Sequence, residues 1–199
     1  RVRVSVDGAY GGAKGSYAMT FDAAGRAEIA YAFTVTKAVN PRQVGLAFSL
    51  PRACETFAWE RKGYWDVYPD DHIARLKGSV RASEGFAATP AGPREPPSHP
   101  WRLDGLPYGN NDFCSTKHNV VRASLTDAGG RGIAADGGGR QHARCWRTGE
   151  ASFLFVADYS NGGGERFLRA FAQAEERPLK PGDRVAGAVR VQALAGGRE

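Results

Sequence analysis

The feature of this sequence that most constrains its fold is an alternation of apolar and other residues with a period of two. It occurs in three stretches near the start of the chain, at residues 2–6, 17–21 and 29–35. Successive side chains of an extended strand point to opposite faces, so each stretch predicts a strand with one buried face. The strand pattern resumes later in the chain, at residues 119–125, 153–156 and 185–194.

Turn-forming residues separate these stretches at regular intervals. Predicted turns lie at residues 7–8, 22–25, 40–41, 127–130, 137–139 and 181–183. The chain has 26 glycines and one methionine, and its best helical stretch, residues 165–174, is short. We therefore predict an all-β fold, a sandwich of antiparallel strands formed by a single domain over residues 1–199.

Composition argues against several classes of function. The net charge is +6, but the arginines are scattered and form no basic run, which argues against a nucleic-acid partner. No apolar run approaches the length of about 20 residues that crosses a membrane. The sequence also has no phosphate loop, dinucleotide fingerprint or nucleophile elbow, so no cofactor is predicted. The chain begins in a strand pattern without a signal-peptide core, so we expect a mature form or a segment excised from a longer protein.

Two cysteine–histidine pairs are the candidate metal ligands. Cys114 and His118, with His142 and Cys145, could in principle supply four ligands to zinc. The spacing is imperfect and glycine-rich sequence separates the pairs, which favours buried thiols or a single Cys114–Cys145 disulfide instead. We therefore predict no metal, and three cysteines leave the redox compartment open.

The aromatic segment at residues 59–78 is the first candidate for a ligand site. Trp59 alternates with its neighbours as in a strand, which favours core packing. Tyr64 and Trp65 follow a break in that pattern, where exposed rings can stack on the apolar faces of sugars. Residues 70–72 are Asp-Asp-His, but adjacent residues of an extended chain diverge, so a turn is expected there and not a catalytic group.

Two polar segments complete the predicted site. Residues 110–118 carry amides, a carboxylate and a lysine, which can hydrogen-bond vicinal hydroxyls; a solvated turn is the alternative. Three glycines follow Asn161 and permit close approach of a ligand or a neighbouring strand, or serve as a flexible turn. The predicted carbohydrate-binding residues are Tyr64, Trp65, Asn110, Asn111, Asp112, Lys117 and Asn161.

Taken in order, these segments resemble the C-terminal β-sandwich, or small-chain domain, of β-galactosidases and related enzymes of glycoside hydrolase family 2. Residues 45–51, 57–59 and 68–70 are similar to that family's apolar strand, tryptophan-bearing strand and Tyr-Pro-Asp turn. Residues 107–111 and 125–133 are similar to its asparagine-bearing turn, next strand and glycine hairpin. The resemblance spans most of the chain and implies a two-sheet antiparallel supersandwich of the galactose-mutarotase-like type.

The resemblance also implies a non-catalytic role, because the two catalytic glutamates of that family belong to a barrel domain that precedes the sandwich. The expected parent is a retaining glycoside hydrolase, and the isolated chain is expected not to hydrolyse glycosides. The implied partners are a β-linked carbohydrate and the catalytic barrel, and a periplasmic or secreted location is favoured over a cytoplasmic one. That family can lend a loop tryptophan to the active-site rim, but the nearest aromatic residue here is Phe167.

Two alternatives remain open. The first is a carbohydrate-binding module in which Tyr64, Trp65 and Trp101 form a sugar-stacking surface. The second is an aldose epimerase on the same architecture. An epimerase requires one of the four histidines to face a carboxylate across a cleft; these are His72, His99, His118 and His142.

Overall fold

The computed structural model describes residues 1–62, 76–83, 101, 116–160 and 177–197. These residues form ten strands, all paired antiparallel, so the predicted all-β antiparallel class is confirmed. The strands are β1 (Val2–Tyr10), β2 (Ala13–Phe21), β3 (Arg26–Val35), β4 (Gln43–Pro51), β5 (Thr56–Arg61), β6 (Lys77–Arg81), β7 (Lys117–Thr126), β8 (Arg131–Thr148), β9 (Ala151–Ser160) and β10 (Arg184–Ala195). No helix among the described residues is long and apolar enough to span a bilayer. The helical stretch predicted at 165–174 lies outside them.

The strands form one hydrogen-bonded network that branches at β8. Its main path runs β1-β2-β3-β10-β8-β7-β5-β6. The first part of β8, residues 131–136, pairs with β10, whereas the last part, residues 142–148, pairs with β9, which in turn pairs with β4. We call β10-β3-β2-β1 the long branch and β9-β4 the short branch.

Three glycines at residues 137–139 lie between these two pairing segments of β8. The sequence predicted a turn here, and that prediction is wrong because the strand continues through the glycines. Gly138 and Gly139 have φ angles of 60° and 75°, which glycine adopts without the steric penalty of a Cβ. The glycines therefore allow β8 to leave β10 and pair with β9 without ending.

The remaining predicted turns can be compared directly with the strand boundaries. Residues 22–25, 40–41, 127–130 and 181–183 lie between strands, as predicted. In two of these turns an aspartate holds the chain reversal: Oδ1 of Asp22 accepts from the backbone N–H of residues 24 and 26, and Oδ1 of Asp127 from residues 129 and 131. The turn predicted at residues 7–8 is wrong, because β1 continues to Tyr10 and the chain reverses at residues 11–12.

The buried side chains of both branches form one apolar core. Alternate residues of β3, from Ala27 to Val35, belong to the same cluster as Leu46 of β4 and Leu154 of β9. The short branch therefore packs over one face of the long branch, which gives two layers. Phe57 and Leu125 are fully buried, and burying a side chain of this size stabilises the fold by about 2 kcal/mol.

Candidate functional site

Lys117 is the only predicted carbohydrate-binding residue within the described part of the chain. The other six lie outside it, namely Tyr64, Trp65, Asn110, Asn111, Asp112 and Asn161. Lys117 opens β7 and is buried, with 3% of its surface exposed, and its Nζ lies 4.7 Å from the centre of the Trp59 ring. An indole face stabilises a desolvated ammonium in this position. Trp59 is a core residue, as predicted, and the role of Lys117 in sugar binding stays a prediction.

Trp101 does not form the sugar-stacking surface suggested by the sequence. Its side chain is fully buried, and its indole Nε1–H donates to the backbone oxygen of Val80 at 3.2 Å. The Arg147 guanidinium lies 5.5 Å from the centre of its ring. A buried indole whose N–H has a hydrogen-bond partner is a stable core residue. The Trp101 ring is therefore not exposed for a sugar to stack on, and the predicted stacking role is wrong.

Two histidines from different strands meet next to Lys117. Nδ1 of His118 lies 3.1 Å from Nδ1 of His142, and the rings meet edge to face. The backbone N–H of Asn119 also donates to Nδ1 of His142, at 3.2 Å. Nδ1 of His142 is therefore the acceptor, and His118 is the tautomer that carries hydrogen on Nδ1 and donates to it.

Their surroundings keep both histidines neutral. Burial, followed by the nearby His142, Arg61 and Lys117, lowers the pKa of His118 to about 4. Burial also lowers the pKa of His142, although the carboxylate of Asp158 acts in the opposite direction. Both rings are thus uncharged at neutral pH.

An irregular segment of β7 turns His118 toward β8. The register between β7 and β8 shifts between Lys117 and Val120. Within this segment Asn119 has a φ of 57°, the one left-handed non-glycine residue among those described. Asparagine tolerates this conformation better than most residues, and bulges of this kind redirect side chains. The histidine pair therefore depends on local backbone geometry as well as on strand pairing.

The structure brings together the two histidines of the four candidate zinc ligands, for which no metal is predicted. Within the described ranges, no group of three or more histidine, cysteine, aspartate or glutamate side chains is arranged to hold a metal ion. Cys145 is buried in the core, and Cys54 is a second buried thiol, whose pKa burial raises. Cys114 lies outside the described residues, so its pairing stays a prediction.

A second polar network, which we call the branch-point network, joins the two branches. The Tyr31 hydroxyl of β3 donates to Oδ2 of Asp158 in β9 at 2.6 Å, and Nε2 of Gln141 in β8 donates to Oδ1 at 2.7 Å. The same Gln141 nitrogen donates to the backbone oxygen of Ala188 in β10 at 2.9 Å. Burial and the Asp158 carboxylate raise the pKa of Tyr31 well above its usual range. A Cβ at position 187 would meet Oδ2 of Asp158 and the hydroxyl of Tyr31, so any larger residue there would displace this network.

The face of the sheet away from the core carries a row of alternating charges, which we call the charge row. One residue from each of six strands contributes to it, and each lies directly opposite the next in register. The order across the sheet is Glu28, Arg190, Asp136, Arg122, Glu60 and Lys77. Ion pairs join Glu28 to Arg190 at 3.0 Å and Arg122 to Asp136 at 3.0 Å.

A cleft of about 690 Å³ runs along part of the charge row. Its charged lining includes four members of the row, and Arg26 and Gln192 extend it. Sequence reasoning missed this cleft because each of these residues is an ordinary exposed polar residue by itself. Only the register of the strands places them side by side.

Sequence reasoning also missed an aromatic stack on the outer face of the short branch and β8. The Trp146 ring stacks on Phe153, with centroids 5.1 Å apart and planes 4° from parallel. The Arg144 guanidinium lies 4.6 Å from the centre of the Trp146 ring and donates through Nε to Oε1 of Gln43 at 2.8 Å. Arg144 and Trp146 are two positions apart in β8, and this spacing is the one signal in the sequence that places these two side chains on the same face.

Comparisons with known proteins give limited similarity. No protein-family model and no curated protein matches this chain. It is similar to a solved galactose mutarotase-like protein from Lactobacillus casei ATCC 334, at 10% identity and a TM-score of 0.45, covering 95% of this chain and 68% of that one. It is also similar to a galactose mutarotase related enzyme from Lactobacillus acidophilus, at 10% identity and a TM-score of 0.37, covering 98% of this chain and 68% of that one. TM-scores this low establish neither a common fold nor shared site residues, so the all-β antiparallel class rests on this chain's own strands.

Proposed function

We propose that this chain is a non-catalytic accessory β-sandwich domain with a carbohydrate-related role, part of a β-galactosidase-like glycoside hydrolase. The observation that supports it is an apolar surface at the β1 end of the long branch, which we call the docking face. It consists of Val2, Val4, Val6 and Phe21, with exposed fractions of 62%, 38%, 42% and 40%. Contiguous exposed apolar side chains of this kind mark interaction surfaces.

The docking face is continuous with the core-side face of the sheet. Val2, Val4 and Val6 lie opposite Phe21, Met19 and Tyr17 of β2, which in turn lie opposite the core residues Ala27, Ile29 and Tyr31 of β3. Side chains directly opposite each other in register share one face of a sheet. The valines therefore extend an apolar surface suited to packing against another domain.

Replacement of one docking-face valine tests this role. We expect the isolated chain to self-associate through the docking face in sedimentation velocity, and Val4→Asp to abolish the association because it places a charge within the apolar contact. Val121→Asp is the matched control, since Val121 is a comparably exposed valine on β7, at 37%. Equal behaviour of the two variants would remove the support for docking through β1.

The non-catalytic part of the proposal has its own assay. Purified chain is expected to leave an aryl β-galactoside unhydrolysed, because the acid and nucleophile of the parent enzyme belong to its barrel. Turnover that persists through repeated purification and is lost on replacing a carboxylate of this chain would contradict the proposal.

A second candidate function is that of a carbohydrate-binding module, and the cleft along the charge row favours it. Carboxylates and guanidiniums are planar groups that hydrogen-bond pairs of vicinal hydroxyls. The ion pair between Arg190 and Glu28 orients both side chains beforehand, which lowers the entropy lost when a ligand binds.

Affinity electrophoresis in gels containing β-linked galactans and glucans distinguishes the two functions. A binding module is expected to be retarded by one of these polysaccharides, and Arg190→Gln to weaken retardation at least about tenfold by removing a charged hydrogen-bond donor. Lys77→Gln is the control, because Lys77 ends the charge row but does not line the cleft. Absence of retardation favours the accessory role without direct sugar binding.

Polarimetry separates both functions from an aldose epimerase. His118 and His142 lie in contact, and the Asp158 charge affects His142, so acid–base groups are present together. Nevertheless the Asp158 carboxylate already accepts hydrogen bonds from Tyr31 and Gln141, which favours a structural role. We expect no acceleration of galactose mutarotation; an acceleration that His142→Gln abolishes would establish an epimerase instead.

A further inference from the structure

An apolar cavity of about 600 Å³ opens between the two branches. Tyr10, Tyr17 and Phe33 form one wall, Val44 and Leu46 of β4 form the facing wall, and Leu179 lies at one side. Cavities that bind small molecules have volumes of about 300 to 1,000 Å³ and mostly apolar linings. This cavity is separate from the charged cleft on the other face of the sheet.

The aromatic wall is held in one arrangement. Phe33 packs edge-on against Tyr10 and Tyr17, with ring centroids 5.3 and 5.1 Å away. Burial and a hydrogen bond with Tyr10 raise the pKa of Tyr17 to about 12, and the hydroxyl of the third lining tyrosine, Tyr31, donates to Asp158. The tyrosine hydroxyls are therefore engaged within the protein, and the cavity presents mainly ring edges and aliphatic groups.

Among the described residues, one charged side chain lies at the rim of the cavity. It belongs to Lys37, and the described residues include no ion-pair partner for its ammonium. A short bridge closes the rim on one side: the backbone N–H of Val39 donates to the oxygen of Leu179 at 2.9 Å, and the N–H of Leu179 donates back at 2.8 Å. An exposed cation beside an apolar cavity complements a molecule with an apolar body and one anionic end.

We propose that this cavity binds a small amphipathic anion, an alkyl or aryl carboxylate, with its apolar body between β3 and β4 and its carboxylate at Lys37. A sugar is a poor occupant, because its hydroxyls would lose hydrogen bonds to water without gaining partners in the cavity. The ligand is held by burial of its apolar body and oriented by the lysine.

Decanoate, used below its micelle concentration, is the probe that tests this inference. We expect it to shift the methyl NMR signals of Val35, Val44, Leu46 and Val185, which line the cavity. Decan-1-ol is expected to bind about fivefold more weakly, since a surface ion pair contributes about 1 kcal/mol. Decyltrimethylammonium is expected to bind more weakly still. Equal affinity for the anion and the cation, or methyl shifts confined to other parts of the protein, would overturn the proposal.

Two pairs of variants separate the charge from the cavity. Lys37→Gln is expected to reduce decanoate affinity to that of decan-1-ol, whereas Lys14→Gln, which removes an exposed lysine of β2 that does not line the cavity, leaves it unchanged. Val39→Trp is expected to obstruct the rim, where this valine is 45% exposed, and Val121→Trp serves as its control.

A result in which Lys37→Gln and Lys14→Gln behave alike would refute the role of Lys37. In the Val4→Asp variant, which is expected not to associate through the docking face, methyl shifts at the cavity that appear on raising the protein concentration without any ligand would show that a second copy of the chain occupies it. Such a result would also overturn the proposal.

Discussion

Reversal of one charge in the charge row provides the sharpest test of the observed strand register. Arg190 lies opposite Glu28 on one neighbouring strand and opposite Asp136 on the other. The substitution Arg190→Glu therefore places three carboxylates next to one another across β3, β10 and β8. The position is exposed, so the substitution disturbs no packing in the core.

The magnitude follows from the two neighbours. An opposite-charge pair directly across an antiparallel ladder stabilises it by about 0.2–1 kcal/mol, and a like-charge pair destabilises it by a similar amount. The Arg190 and Glu28 side chains are 73% and 55% exposed, which places their pair in the lower half of this range. Losing two attractions and gaining two repulsions of about 0.5 kcal/mol each gives an expected destabilisation of about 2 kcal/mol.

Urea unfolding of a double-mutant cycle measures this coupling. The double variant Glu28→Arg with Arg190→Glu restores the alternation between these two strands, so with about 0.5 kcal/mol for each attraction or repulsion we expect it to be more stable than the sum of the single changes by about 2 kcal/mol. Raising the ionic strength from about 0.1 M to about 1 M shortens the screening length from about 10 to 3 Å and should reduce this coupling. Strictly additive effects, unchanged by salt, would refute the assigned register.

Three further predictions concern the interior and the branch point. Tyr31→Phe removes the hydroxyl that donates to Asp158 and should lower the free energy of unfolding by about 1–3 kcal/mol in urea titrations. An unchanged free energy would contradict the stabilising role of the branch-point network. The pKa of His118 is about 4 in the folded chain, against 6.5 for an ordinary histidine, so the unfolded chain binds more protons between these two pH values. The free energy of unfolding should therefore be highest above pH 6.5 and should fall as the pH decreases toward 4. His118→Gln should flatten this dependence in thermal melts across that range, and an unaltered slope would show that another group is responsible. Gly138→Ala should lower the free energy of unfolding by about 1 kcal/mol in the same urea titrations, because the φ of 60° at this position strains any residue with a Cβ. No atom of the described residues lies within 4 Å of the added methyl group, so the expected cost comes from the backbone angle. Gly11→Ala is the control: it is equally unobstructed but has no such φ, and it should change stability by less than about 0.5 kcal/mol.

The strands could be predicted from the sequence because the information that specifies them is local. Alternation of apolar residues marks β1, β2 and β3, and the aspartates at positions 22 and 127 bond the backbone of their own turns. The same rules failed at residues 137–139, where glycine permits a change of direction within a paired strand instead of a chain reversal. Glycine alone does not distinguish these two uses, since the outcome depends on strands far away in the sequence.

The candidate sites could be predicted only in part, because they depend on register. His118 and His142 were recognised from the spacing of possible metal ligands, but their contact requires the shifted pairing of β7 with β8 and the left-handed Asn119. The charge row and the branch-point network join residues up to 162 positions apart in the chain, as Glu28 and Arg190 show. No local pattern places such residues opposite one another.

The short branch has only two described strands, which explains why the core-side residues of the long branch become more exposed from β3 to β2 to β1. On β3, directly beneath β4 and β9, alternate residues are buried; on β2 the corresponding residues are mostly half-buried; on β1 they are exposed. The cavity lies where this cover ends, and the docking face lies beyond it. Both features therefore follow from one property of β8: it pairs with β10 before the three glycines and with β9 after them. Among the described residues, β4 pairs with β9 alone. A third strand on the other edge of β4 would extend the cover toward β2 and β1, so the proposed ligand and the proposed docking partner both depend on the short branch remaining narrow.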